Sequence, residues 1–296
     1  MKKKFALILA IMLTLTFGIM FCGCSDTSAE FSGIISENNE LCISKGKIIY
    51  LNDKIVCEKG GVIKIERGGA VELNGEIELS GDLYVEGKLR IGKKAVIYGT
   101  GTIHVVNSFD DINCLGTVTA KIDAPKPITK NGVTTVGGVL IVNKRYPLPE
   151  NYGNGLSEEL REAVVKMRKD SGFSMKIQSG FRSYETQEFW YNHWCSVYGV
   201  ETASKISAYP GHSEHQAGLA ADITSTESDY AFTDEAKWLA ANCYKYGLII
   251  RYPADKVDIT GYIYEPWHVR YVGKSTAKLI HDSGLCLEEF LQVEGH

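Results

Sequence analysis

G-A-V-E-L-N-G-E-I-E-L-S-G-D-L-Y-V-E-G-K-L-R-I, residues 69–91, carries Gly69, Gly75, Gly81 and Gly87 at a six-residue step, with one apolar pair in each interval: Val71/Leu73, Ile77/Leu79, Leu83/Val85 and Leu89/Ile91. Apolar and polar residues in alternation put one face of a strand against a core, and a turn residue at fixed spacing repeats that strand. Short strands at a fixed period predict a β-solenoid, in which each turn buries its apolar face against its neighbours. A meander of tight hairpins carries the same alternation and is the competing topology. Ile97, Ile103 and Val105 extend the phase less regularly, while Glu72, Glu76, Glu78 and Arg90 read as a solvated face. Residues 31–125 are therefore expected to form an all-β domain. It holds no acid and base constellation, so a spacer or binding platform is expected.

Outward from the repeat, residues 126–133 form a turn-rich linker that includes Pro127 and Asn131-Gly132, and Gly137-Gly138 follows. The pattern then changes over 134–296. Ser157 precedes Glu158, Glu159 and a helical face of Leu160, Val164 and Met167, with Gly172 as the stop. Further helices are expected over 184–198, after Thr233 and from Ser275 onward, with strands over 140–144, 175–178, 219–223, 248–250 and 267–272. Helices and strands that do not strictly alternate imply an α+β domain, a small antiparallel sheet with flanking helices.

The chain has 296 residues, long enough for two cores, and a net charge of −4. Its lysines and arginines are dispersed, which excludes the basic patch of a nucleic-acid binder. Lys2, Lys3 and Lys4 precede a largely apolar run over 5–21, then Cys22-Gly23-Cys24-Ser25 and a polar stretch over 26–30. This is an export signal. Gly23 before Cys24 resembles a bacterial lipobox, with Phe21 in place of the usual leucine, so residues 1–24 read as a lipoprotein signal with Cys24 as the lipidated residue. Plain secretion and an uncleaved anchor helix are the alternatives. All three place the rest of the chain outside the cytoplasmic membrane. Export permits oxidation of the remaining Cys42, Cys57, Cys114, Cys195, Cys243 and Cys286. Cys195 with Cys243 is the favoured single pairing, with free buried thiols equally open.

The chemistry concentrates in two strings, S-E-H-Q-A-G-L-A-A-D over 213–222 and Y-E-P-W-H over 264–268. They supply two histidines, an aspartate and a spare glutamate, which matches the needs of a hydrolytic zinc site: three protein ligands, an open position for water, and a base. His215 and Asp222 lie seven positions apart with Gly218 between them, which suits a loop entering a strand better than adjacent helical turns. Asp222, inside Leu-Ala-Ala-Asp-Ile, is costly to bury unless a cation or metal pairs with it. Pro266 holds Glu265 extended, so its carboxylate is aimed beside the metal as a general base. Arg182, next to Gly180 and Phe181, offers positive charge for an oxyanion. Gln187 lies one turn into the next helix, where facing the cleft and facing solvent are both open. His212 and His193 are not expected to be ligands.

The segments 179–187, 209–216, 258–262 and 264–268, together with V-N-K-R-Y-P-L-P-E-N-Y over 142–152, resemble the VanY-type D-alanyl-D-alanine carboxypeptidases. The resemblance covers roughly residues 134–275 and none of the repeat domain. It implies one zinc ion per chain on His215, Asp222 and His268, with Glu265 as catalytic base and Arg182 stabilising the transition state. It further implies that Ser213 and Gln187 bind the substrate's terminal carboxylate. The expected activity is removal of the C-terminal D-alanine from peptidoglycan stem peptides. L,D-carboxypeptidase and D,D-dipeptidase activities fall under the same resemblance. A cell-wall binding protein with a vestigial peptidase domain is the non-enzymatic alternative.

Overall fold

The computed structural model describes residues 19, 20 and 28–296; the rest of the signal segment, including Cys24, lies outside the described residues. The repeat forms a solenoid with three parallel sheets of six, five and five strands, and not a meander. Strands Val62–Ile65, Ala70–Leu73 and Glu76–Leu79 make one turn, and Asp82–Val85, Lys88–Ile91 and Val96–Tyr98 make the next. The six-residue step is the spacing of the consecutive strands that start at Ala70, Glu76, Asp82 and Lys88, three of which fill a turn. Inward residues stack in register: Leu41, Ile63, Leu83 and Ile103 in one sheet, Ile49, Val71, Leu89 and Ile112 in the second, and Ile55, Ile77, Ile97 and Val118 in the third. All twelve are buried, each stabilising the fold by about 1.5–3 kcal/mol before chain entropy is counted. The glycines serve close approach between turns. A Cβ on Gly81 would lie 2.1 Å from the Gly61 carbonyl oxygen.

Residues 128–141 form a small antiparallel sheet of three strands, Ile128–Lys130, Val133–Val136 and Val139–Ile141. Its two turns are the Asn-Gly and Gly-Gly pairs noted above, with φ of 52° and 77° at Asn131-Gly132 and 54° and 85° at Gly137-Gly138. Positive φ at both central residues is the requirement of the tight hairpin turn. The segment expected to be a linker therefore contributes a strand.

In the α+β half, β1 (Ile177–Ser179), β2 (Ala220–Ile223), β3 (Leu248–Ile250) and β4 (His268–Tyr271) form an antiparallel sheet in the order β1-β2-β4-β3. Helices α1 (Glu158–Ser171), α2 (Tyr184–Tyr198), α3 (Asp234–Asn242), α4 (Lys274–Ser283) and α5 (Leu287–Leu291) flank it. Ser157 caps α1 by accepting from the Leu160 amide, and Gly172 ends it in the left-handed region. Leu160, Val164 and Met167 then pack on Ala221, Ile223 and Val269 of the sheet. β1 begins at residue 177, two positions later than the sequence predicts.

The two halves share a core. Ile112 and Cys114 at the end of the solenoid cluster with Ala277 and Ile280 of α4 and with Phe290 of α5. Ser275 accepts a hydrogen bond from the Cys114 amide at 3.1 Å and Asp282 accepts from the Val118 amide at 3.3 Å. Helix α4 thus covers an edge that would otherwise expose unpaired backbone groups. Cys42, Cys57, Cys114, Cys195, Cys243 and Cys286 are free thiols. The expected pairing of Cys195 with Cys243 does not form, because Cys243 is packed among Leu160, Leu239 and Leu248 while Cys195 lies on a different helix outside that cluster.

Candidate active site

Asp222 on β2 pairs with Ser179 on β1 and with His268 on β4. Directly opposed residues of antiparallel strands share a face, and His268 Nδ1 lies 3.2 Å from Asp222 Oδ1. His215 enters from the loop before β2. Its Nδ1 donates to the Gly180 carbonyl oxygen at 2.7 Å, which leaves the Nε2 lone pair free 3.4 Å from Asp222 Oδ2. Gly218 turns this loop at φ 70°, and a Cβ there would lie 2.1 Å from the Gly155 carbonyl oxygen. The three side chains are buried, with donor atoms within 4.8 Å of one another. Zinc bonds of 2.0–2.1 Å in a tetrahedron give ligand-to-ligand edges of about 3.3 Å. The separations of 3.2 and 3.4 Å fit that edge, and two imidazoles with a carboxylate form a suitable donor set.

Glu265 sits at the rim of this triad, with Oε2 3.5 Å from His268 Nδ1. Its amide donates to the Tyr252 carbonyl and its carbonyl accepts from the His268 amide, so the turn before Pro266 is held at both ends. Burial raises the Glu265 pKa to about 7, with Asp222 adding to the rise and His268 and Arg182 opposing it. A carboxyl group near neutrality can both take and give a proton. Burial would also raise Asp222, but His215 and His268 outweigh it and hold that carboxyl well below the usual range. Burial lowers His215. For His268 burial is again opposed, and Asp222 and Glu214 raise its pKa to about 9. The negative field that favours a proton there also favours a divalent cation, which displaces the proton on binding.

Arg182 reaches the same cleft, with Nη2 3.9 Å from Asp222 Oδ2. Its guanidinium donates to Gln187 Oε1 at 2.8 Å and to Ser179 Oγ at 3.0 Å. Gln187 is fully buried and donates to Ser207 Oγ at 3.1 Å and to the Ala208 carbonyl at 2.7 Å. Its amide contacts are all with the protein, so it orients Arg182 from behind and does not present its amide to the cleft. Ser213 is buried two positions before His215. His212 stands outside the triad, with Nδ1 2.7 Å from the Asn143 carbonyl, and His193 packs against Trp190 and Trp194 on α2.

Sequence reasoning passed over Glu214. This fully buried carboxylate accepts from Arg251 Nε at 2.8 Å and from Arg270. Burial would raise its pKa, but Arg251, Arg270 and His268 hold it well below the carboxylate range. Arg251 is forked onto Glu288 of α5, which also accepts from Asn143 at 3.1 Å. Glu214 Oε2 and His268 Nε2 are 3.6 Å apart, and neither buried atom has a hydrogen-bond partner. Glu214 thus stands where a carboxylate orients a metal-ligating imidazole through its second nitrogen. Its partners lie 37 and 56 residues away in sequence. The only local signal was Arg270, a charge inside the apolar strand Trp267 to Val272.

Residues 154–274 match the VanY family, described as D-alanyl-D-alanine carboxypeptidase. The putative carboxypeptidase YodJ of Bacillus subtilis is 41% identical over 180 residues, spanning 51% of this chain and 66% of YodJ. A D-alanyl-D-alanine carboxypeptidase of Enterococcus faecalis is 35% identical over 178 residues, spanning 53% of this chain and 66% of that protein. The chain therefore spans slightly less than two thirds of these curated relatives. Among solved structures, the L,D-carboxypeptidase DacB of Streptococcus pneumoniae is 38% identical, with a TM-score of 0.52, and the match covers 58% of this chain and 98% of DacB.

Proposed function

Since this chain belongs to the VanY family of D-alanyl-D-alanine carboxypeptidases, we propose that it is a zinc-dependent carboxypeptidase removing the C-terminal D-alanine from peptidoglycan stem peptides. The observation that carries this reading is the buried set of His215, Asp222 and His268 at ligand spacing, with Glu265 beside it. Bound zinc would supply a Lewis acid, polarising the scissile carbonyl and lowering the pKa of water. Glu265 takes a proton from the attacking water and delivers it to the leaving amine. Arg182, fixed by Ser179 and Gln187, meets the negative charge that develops on the carbonyl oxygen. Ser213 is the remaining candidate for the terminal carboxylate. The export signal and Cys24 support a lipid-anchored protein on the outer face of the cytoplasmic membrane, where such peptides lie.

Zinc analysis and Glu265→Gln test the chemistry together. Hydrolysis should fall by roughly 10²–10⁴-fold while about one zinc per chain is retained; undiminished activity would sink the assignment of the base. A second reading, L,D-carboxypeptidase activity, is favoured by the likeness to DacB. Weighing the products from defined tri-, tetra- and pentapeptide stems separates the two: loss of D-alanine from the tetrapeptide alone excludes the D,D activity.

A further inference from the structure

A cavity of about 240 Å³ has a lining that includes Lys144, Ser207, Tyr209, His212 and Tyr262 and contains no carboxylate. Two routes connect it to the catalytic groups. Ser207 accepts from Gln187, which in turn accepts from Arg182. On the other side the Tyr262 ring packs 4.7 Å from Tyr252, which packs 4.9 Å from His268.

Lys144 is the only cation of the lining. Its Nζ donates to the Ser204 carbonyl at 2.7 Å and lies 4.6 Å from the centre of the Tyr262 ring. The side chain rests on Gly261, whose φ of 74° favours glycine and where a Cβ would come within 3.0 Å of Lys144 Cε. Among the described residues no carboxylate is paired with it: burial lowers its pKa, and the nearby Lys205 lowers it further. An ammonium group has three N–H donors, and one is used. A half-buried ammonium with donors to spare and no carboxylate in the lining around it calls for an anionic acceptor, because leaving such donors unpaired is costly.

We propose that this cavity is a subsite for a second carboxylate of the peptide substrate, remote from the bond cleaved, with Lys144 as its counter-ion. The inference rests on the carboxypeptidase reading. Stem peptides offer two such groups, the α-carboxylate of a γ-linked glutamate and the side-chain carboxylate of a diaminopimelate, and the test separates them.

Calorimetry on the zinc-loaded, full-length Glu265→Gln protein would compare three tetrapeptides: one with both carboxylates, one amidated at the glutamate, and one with lysine in place of diaminopimelate. The group that enters the subsite is the one whose removal weakens binding, by about 10- to 100-fold, the range of a charged hydrogen bond. Adding Lys144→Met should weaken the diacid by the same factor and leave the peptide lacking that group unchanged, while Lys144→Arg preserves the preference. Equal affinity for all three peptides overturns the subsite, and that arm needs no lysine variant to fold. Failure of the unmodified protein to cleave any peptide would instead overturn the carboxypeptidase reading, which the binding measurement does not presuppose.

Discussion

In the solenoid, Leu83 is stacked between Ile63 and Ile103 in register, one apolar side chain per turn. In the α+β half, the comparable depth is occupied by Glu214 between Arg251, Arg270 and His268. The first environment is built from neighbours of the same kind and carries no chemistry. The second pays desolvation for several charges and obtains fixed orientation around the triad in return. Burial therefore means rigidity in both halves, but only the ionic half aims a polar atom at a functional site.

Removing one member from each environment tests the contrast. Glu214→Ala leaves the buried Arg270 guanidinium without its carboxylate and Arg251 with Glu288 alone, and should cost roughly 3–5 kcal/mol, read by denaturant unfolding. It should also weaken zinc binding by about 10- to 100-fold, since the support behind His268 is lost; unchanged zinc affinity would separate Glu214 from the site. Leu83→Ala should destabilise by about 2–5 kcal/mol through the cavity it leaves. Hydrolysis of a soluble peptide well below the melting temperature should stay at the parent rate; a fall would mean that the two halves are coupled in function. Arg90→Ala removes the 2.8 Å pair with Glu72 on the solvated face, where the arginine side chain is 61% exposed. The expected change is about 0–1 kcal/mol, and a larger one in thermal melting would show that the solenoid depends on its outer charges.

The solenoid was legible because its information is local: the glycine step and the apolar pairs lie within a few residues of one another. The strand count per turn, which sorts every third interval into the same sheet, was not, since a meander satisfies the same alternation. For the site, His215, Asp222, Glu265 and His268 announced themselves through residue types in two short strings. The contacts of Gln187 were not legible, because a helical glutamine one turn from an arginine reads the same whether it faces the cleft, solvent or the arginine itself. Glu214 was invisible for a different reason. Its character comes from Arg251, Arg270 and Glu288, brought to it by β3, β4 and α5, and no window of sequence contains them together.

The solenoid's end is sealed under α4 by a common core and by backbone hydrogen bonds to Ser275 and Asp282, so the length of the repeat fixes how far its other end stands from the cleft. Successive turns rise by the inter-strand distance, roughly 4.8 Å, so each five-stranded sheet sets a height of roughly 19 Å. Inserting or deleting one whole turn would shift the reach of the cleft by that single increment and leave every catalytic contact as it is.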